Sequence, residues 1–342
     1  MTQPTILLAL PSAHARVDEV RNSSLELITL ARSLGRVDVV TMGAPSTEVL
    51  ALLGLYDVEA VHQAALPTAV PEEQQRVTSN LAAVMVAAAR KVHADVLLLP
   101  NGFAFKEIGA VAALRLKAGL VTDAAGVRWD APGVLHVAKR VFGGTWDTVA
   151  EVRTDPAVVT VQANTVVAEP VGVGVGGVGV GAGGAGIPRV EALLVDLPPC
   201  AVTVKSREVS RKDEGRPDLE EASVVVAGGR GVNGDFGPVE ELADVLGGAV
   251  GATRDAVFEG WFDRYIGQTG VTVAPAVYVA AGISGMPHHV SGITGSGQIL
   301  AVNNDSDAPI FEMSDFGVVG DLAAVLPQAA ETIRAWRAGR EG

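Results

Sequence analysis

Cysteine is nearly missing from these 342 residues. Cys200 stands alone, with no partner for an internal disulfide and no C-x-x-C or zinc-type spacing to join. Disulfide scaffolds and thiolate metal sites are excluded, and a reducing, cytoplasmic compartment is expected. Charge is scarce as well, at 19% of residues against 48% apolar, so a large core can be buried and general disorder is excluded. Basic residues are the minority, 26 Lys plus Arg against 39 Asp plus Glu, and the net charge of −13 repels a phosphate backbone. Nucleic acid is not an expected partner. No apolar run is long enough for a bilayer: the uncharged Gly/Val stretch, Val171 to Ile187, holds nine glycines in 17 residues. No membrane insertion is expected, and the start, Met1 to Pro11, has no basic n-region and reads as a first strand.

Several catalytic signatures are missing too. There is no Gly-x-Ser-x-Gly elbow, no His-Glu-x-x-His and no Gly-Lys dipeptide for a Walker loop. His288 and His289 are adjacent and point apart on any regular element, which argues against a two-histidine metal site. One of them is left as a ligand-facing or a helix-surface residue. Asp315 and Asp321 are left as substrate-facing or helix-capping carboxylates.

What is present alternates apolar strand-length runs with helix-period segments, the pattern of parallel α/β folds. Ile6 to Leu10, Val37 to Thr41 and Asp95 to Leu99 are expected strands. Between the first two, Ser23 and Glu26 form an expected capping box, Leu27, Leu30, Ala31 and Leu34 share a face, and Gly35 stops the helix. A second helix is expected from near Glu72 through Val77, Leu81, Val84, Met85 and Ala88. From Val127 to Val167 shorter β-branched runs, including Val158 to Val161, and turn signals at Ala131-Pro132-Gly133 and Gly143-Gly144 predict antiparallel strands on a sheet edge. The Gly/Val run is left as a strand or a flexible strap.

Eleven of the 17 residues from Lys205 to Glu221 are charged, which marks a linker and places a boundary near 210. The expectation is two domains, 1–210 and 211–342, each a mainly parallel sheet flanked by helices, the second doubly wound. The second opens on Ser223 to Ala227 as a buried strand, and Gly229-Arg230-Gly231-Val232-Asn233-Gly234 then matches G-x-G-x-x-G ahead of a helix carrying Val239, Leu242, Ala243 and Leu246 on one face. This is either a phosphate-binding loop at a helix N-terminus or a tight strand–helix turn. Glycine recurs beside Arg, Gln, Thr, Ser and Asn in Gly251 to Arg254, Gly267 to Gly270, Gly282 to Gly285 and Ala301 to Asn303. In an open parallel sheet such strand ends line one crevice, which favours a diphosphate-containing ligand there.

These second-half motifs, together with Ala308-Pro309-Ile310-Phe311 and Asp315 to Leu322, resemble the alpha subunit of electron-transfer flavoproteins and run in that family's order. Ala118 to Asp123 and Phe142-Gly143-Gly144 extend a looser similarity into the first half. The resemblance implies a heterodimer with a beta subunit and one FAD held mainly by the C-terminal domain. It implies electron transport from flavin dehydrogenases, such as the acyl-CoA dehydrogenases of fatty-acid β-oxidation, to a membrane quinone oxidoreductase. By position it implies Arg230 against the flavin ring, Thr269 near N5 and His289 near the pyrimidine carbonyl. Thr253, Arg254 and Ser284 are implied at the diphosphate. Gly267, Gln268 and Gly285 are implied in the pocket, and Asn303, Asp321 and Leu322 at the ribose and adenine end. A guanidinium or imidazolium beside a reduced flavin stabilises its negative charge, favours an anionic semiquinone and removes the need for an acid–base pair.

The sequence departs from that pattern in four places: Thr253 replaces a usual serine, Val271 a usual basic residue, Met286-Pro287-His288 a small, apolar and amide series, and the Gly/Val run at 171 to 187 a usually polar segment. Two other readings compete. A nicotinamide-dependent oxidoreductase would use the Gly229 loop, with Asp255 as the acidic residue about 20 positions on. A non-catalytic module would bind an adenine nucleotide without flavin.

Overall fold

The computed structural model describes residues 3–10, 20–65, 77–142, 146–171, 186–197, 204–205 and 215–340. Cys200, the segment around Glu72, the Gly143-Gly144 turn, most of the Gly/Val run and residues 206–214 of the charged segment lie outside the described residues. The chain divides into two compact units, residues 1–139 with 148–208, and residues 140–147 with 209–342.

The first unit runs β1 (Thr5–Leu10), α1 (Asn22–Leu34), β2 (Arg36–Thr41), α2 (Thr47–Leu55), β3 (Val58–Ala65), α3 (Thr78–Val92), β4 (Val96–Pro100), α4 (Phe103–Leu116) and β5 (Gly119–Ala124). It continues with β6 (Gly126–Ala131), β7 (Val134–Val141), β8 (Trp146–Val152), β9 (Ala157–Val161) and β10 (Arg189–Leu194), the β7–β8 pair crossing the division between units. Seven strands form a parallel sheet in the order β10-β3-β2-β1-β4-β9-β5. Alternation along β1 explains the two layers: Ile6, Leu8 and Leu10 pack with α1 and α2, while Leu7 and Ala9 pack with α3 and α4.

Two expectations are corrected here. Val158 to Val161 lie in β9, which is no edge: it is parallel to β4 and β5 between them and buried throughout, the reason its residues are apolar without alternation. Antiparallel pairing belongs to the separate sheet β6-β7-β8. The capping box is also absent, because α1 starts at Asn22 with Arg21 as its cap residue. Glu26 instead accepts from Asn22 Nδ2 and from the Asn164 backbone N–H, both at 2.7 Å, tying the helix to a distant loop. Gly35 does end α1, for a steric reason: a Cβ there would lie 2.2 Å from the Pro4 carbonyl oxygen.

The second unit runs β11 (Val224–Gly228), a 3₁₀ turn (Arg230–Val232), α5 (Gly237–Leu246), β12 (Ala249–Ala252), α6 (Arg254–Phe258), β13 (Val277–Ala281), α7 (Pro287–Val290), β14 (Gln298–Asn303), α8 (Ile310–Met313), β15 (Phe316–Val319) and α9 (Leu322–Ala338). Its five strands are parallel in the order β12-β11-β13-β14-β15. One face is covered by α5 and α9 through Val239, Leu242, Ala243, Leu326 and Ala330. The other is covered largely by irregular chain and short helices through Ile266, Val271, Val273, Ile283, Ile293 and Ile310. From β11 the chain moves outward to β12 and returns to β13 on the opposite side. The carboxyl ends of β11 and β13 are therefore the switch point, where such sheets bind ligands.

Candidate functional site

At that switch point the two loops are stitched together by backbone. Gly229 N–H donates to Ala281 O at 2.9 Å and Gly231 N–H to Gly282 O at 3.0 Å. A Cβ on Gly229 would stand 2.3 Å from the Gly282 oxygen, and one on Gly231 would stand 2.7 Å from Gly282 Cα. Gly282 has a φ of +61°, so it needs glycine on conformational grounds as well. The next amides turn back into the loop: Val232 N–H donates to Gly229 O and Asn233 N–H to Arg230 O. The following helix begins only at Gly237. Four of the six amides of Gly229–Gly234 are thus spent on backbone acceptors, and Gly229 and Gly231 form a packing device between the loops, which weighs against the phosphate-loop alternative. Asp255 pairs with Arg230, Oδ2 to Nε 3.4 Å, and does not stand as a free ribose acceptor.

Around this seam the loops present side chains. Arg230 is exposed, and Arg254 is exposed with its guanidinium over the Phe258 ring, 5.8 Å to the centroid. Thr253 caps α6 by accepting from Ala256 N–H at 3.5 Å, a use of its lone pair that leaves the hydroxyl proton to donate. Ser284 is exposed, and its carbonyl accepts from Ile310 N–H at 3.0 Å. Gln268 and Thr269 are exposed on the loop after α6. Gln268 is riveted to α7 by its N–H on His288 O at 2.7 Å and by its Oε1 on His288 Nδ1 at 2.9 Å.

Other expected residues face inward. Asn303 is buried, donates to Ile283 O at 2.9 Å and accepts from Asp305 N–H at 3.0 Å. Gly285, at φ +88°, lets its loop close on Ile310, whose nitrogen lies 2.3 Å from where a Cβ would be. A Cβ on Gly267 would stand 2.8 Å from the His288 carbonyl oxygen. Leu322 is buried against Gly282, and Asp321 caps α9 by accepting from Ala323 N–H at 3.0 Å. Asp315 Oδ2 accepts from Ile299 N–H at 2.7 Å, so the open choice for both carboxylates resolves to structure.

His289 is the clearest correction among them. Its Nδ1 lies 3.1 Å from Ile266 O and its Nε2 2.9 Å from the Tyr278 hydroxyl. A carbonyl only accepts, so Nδ1 carries the proton and Nε2 accepts from the phenol. Burial pushes the His289 pKa down to about 4, and the ring is a neutral core group here in place of an imidazolium. The folded pKa lies below the unfolded value of about 6.5, so stability is full above that value and is lost as pH falls toward 4. Flavin-free protein should lose roughly 3 kcal/mol across that window by linkage. Denaturant titrations at pH 7 and pH 4.5 check this, and His289→Gln should flatten the dependence.

Comparison with known proteins shows the family. Residues 218–294 match the model of the electron transfer flavoprotein FAD-binding domain, and residues 12–196 match the electron transfer flavoprotein domain. The electron transfer flavoprotein subunit alpha of Mycobacterium leprae is 40% identical over 327 residues, covering 92% of this chain and 95% of that protein. The chain belongs to the electron transfer flavoprotein alpha-subunit family. The subunit alpha of Bacillus subtilis is 32% identical over 327 residues, 93% of this chain and 95% of its own length. That of Thermoanaerobacterium thermosaccharolyticum is 32% identical over 335 residues, 94% and 96%.

The segment matching the electron transfer flavoprotein FAD-binding domain spans β11 to α7 and includes Arg230, Thr253, Arg254, Gln268, Thr269 and Ser284. Sequence reasoning missed Tyr278, the buried partner of His289, and Tyr265, whose hydroxyl meets Thr269. A tyrosine inside the otherwise aliphatic run of β13 was the available signal, since a buried phenol demands a partner. Among the described residues no helix is long and apolar enough to cross a membrane.

Proposed function

We propose that this chain is the FAD-holding alpha subunit of a heterodimeric electron carrier. With a beta subunit it takes electrons from flavin dehydrogenases, acyl-CoA dehydrogenases among them, and passes them to a membrane quinone oxidoreductase from the cytoplasm. The observation carrying the reading is the ring of exposed donors at one parallel-sheet switch point, two guanidiniums with hydroxyl and amide groups, in a chain of net charge −13. That donor set fits an anionic dinucleotide: it offers cations for a diphosphate and hydrogen-bond groups for a ring edge. The division into 1–210 and 211–342 goes with this reading, the second part being the one that holds FAD.

Bound FAD supplies one- and two-electron redox chemistry. The chain's own residues bind and tune it. Arg254, Thr253 and Ser284 hold the diphosphate by side chain, since the amides of Gly229, Gly231, Val232 and Asn233 are engaged elsewhere. Arg230 places positive charge at the ring and favours its electron-rich forms. Thr269 and Gln268 address the ring edge, while His289, Asn303, Asp321 and Leu322 fix the loops that carry these groups. Phe103 and Leu114 in the first unit and Met286 in the second are largely exposed, apolar surface that a beta subunit would cover.

Co-expression with the beta subunit of the same organism tests the reading. A yellow complex with flavin absorption is expected, and it should release FAD on denaturation. A colourless complex that binds NAD would overturn it.

A further inference from the structure

The loop Tyr265–Val271 is built around one side chain that the reading above does not use. Ile266 and Val271 form a bridge, Val271 N–H donates to Tyr265 O at 2.9 Å, and Gly270 N–H donates to Gly267 O at 3.1 Å. The Tyr265 ring lies across the apex: a Cβ on Gly270 would stand 2.5 Å from its Cδ2 and 2.6 Å from its Cε2. Gly270 is glycine because the Tyr265 carbonyl and ring both stand there. From this position the phenol oxygen lies 3.2 Å from the Thr269 carbonyl oxygen and 3.0 Å from Thr269 Oγ1.

Meeting both contacts at once fixes the polarity. A phenol has one proton and a carbonyl only accepts, so the phenol donates to Thr269 O. The contact to Oγ1 is then served by the threonine's own proton, pointing back at the phenol. What Thr269 offers outward is a lone pair. We propose that Tyr265 is a positioning residue that fixes the Thr269 hydroxyl as a hydrogen-bond acceptor toward the flavin ring.

This rests on the proposed placement of Thr269 at the ring edge and adds a consequence that the placement alone lacks. Oxidised isoalloxazine presents an unprotonated N5, whereas the two-electron-reduced ring presents N5–H. A threonine free to rotate serves both, but one locked as an acceptor serves the reduced ring and leaves the oxidised one without a donor. Tyr265 therefore biases the site toward reduced FAD.

The test is a double-mutant cycle in the FAD-loaded heterodimer, reading the ratio of affinities for reduced and oxidised FAD from the midpoint potential. Tyr265→Phe keeps the ring over Gly270 and should lower that ratio about three- to tenfold, the worth of one net hydrogen bond. Thr269→Val should lower it as well, Thr269→Ser should restore it, and the Tyr265→Phe change should vanish in the Thr269→Val background. Amide exchange at Gly270 and Val271 reports the loop itself. A Thr269→Val effect with a silent Tyr265→Phe, or additive effects of the two, overturns the proposal while leaving the placement intact. A silent Thr269→Val removes the placement and the proposal together.

Discussion

Replacing Gly229 by valine should unfold the carboxyl edge of the second unit and leave the heterodimer unable to retain FAD. Two branched methyl groups would be forced into space where even a Cβ lies 2.3 Å from the Gly282 oxygen and 2.8 Å from Ile283 Cα. Both contacts are backbone, held by the Gly229-to-Ala281 and Gly231-to-Gly282 hydrogen bonds, so neither loop yields without breaking the seam. Overpacking of this kind costs about 3 kcal/mol. Gly260→Ala is the control, at φ +77° but with nothing within 4 Å of the added Cβ. It should cost about 1 kcal/mol from the left-handed backbone alone and leave FAD binding unchanged. Thermal unfolding and flavin content of the purified pair measure both effects. Equal behaviour of the two variants would show that the seam plays no part in the site.

Arg230→Ala should weaken binding of reduced FAD about tenfold more than binding of oxidised FAD, because a reduced ring carries the charge that a guanidinium stabilises. Arg254→Ala should weaken both forms alike, the signature of a residue on the diphosphate. Asp255→Asn supplies the opposite sign: its carboxylate lies 3.4 Å from Arg230 Nε, so neutralising it should release positive field to the ring and raise the potential. Spectroelectrochemical titration of the three variants reads these changes. A fall in potential with Asp255→Asn, or equal effects of Arg230→Ala on both redox forms, would place the ring elsewhere.

Much of this architecture was legible in the residues. The strands Ile6 to Leu10 and Val224 to Ala227 read as buried parallel strands because they are apolar without alternation, and both sit inside parallel sheets. The same logic holds for Val158 to Val161, buried throughout β9, but the neighbouring turn signals of β6 to β8 point to an edge. The family was legible from motifs in order, and the similarity to known alpha subunits over nearly the full length agrees.

The roles of single residues were less legible, because sequence gives residue type and spacing but not which groups are already hydrogen-bonded. The Gly229–Gly234 hexad matches a phosphate loop by spacing, yet its Gly229 and Gly231 amides face Ala281 and Gly282. His289 reads as a candidate cation, but Tyr278 and Ile266 take both its nitrogens. Asn303 and Asp321 read as ligand groups, and both are bonded to backbone. For the hexad, His289 and Asn303 the partner lies on another loop or strand, and only the fold brings it there; the Asp321 cap is local.

In the proposed function, side chains at the β11–β13 switch point hold the dinucleotide while the glycine seam stays closed. A crystal structure of the FAD-loaded heterodimer measures this directly. The diphosphate should lie on the side chains of Arg254, Thr253 and Ser284, with Arg230 and Thr269 at the ring and the Gly229 and Gly231 amides still bonded to Ala281 and Gly282. A diphosphate seated on the amides of Gly229 to Gly234, with that seam open, would contradict it.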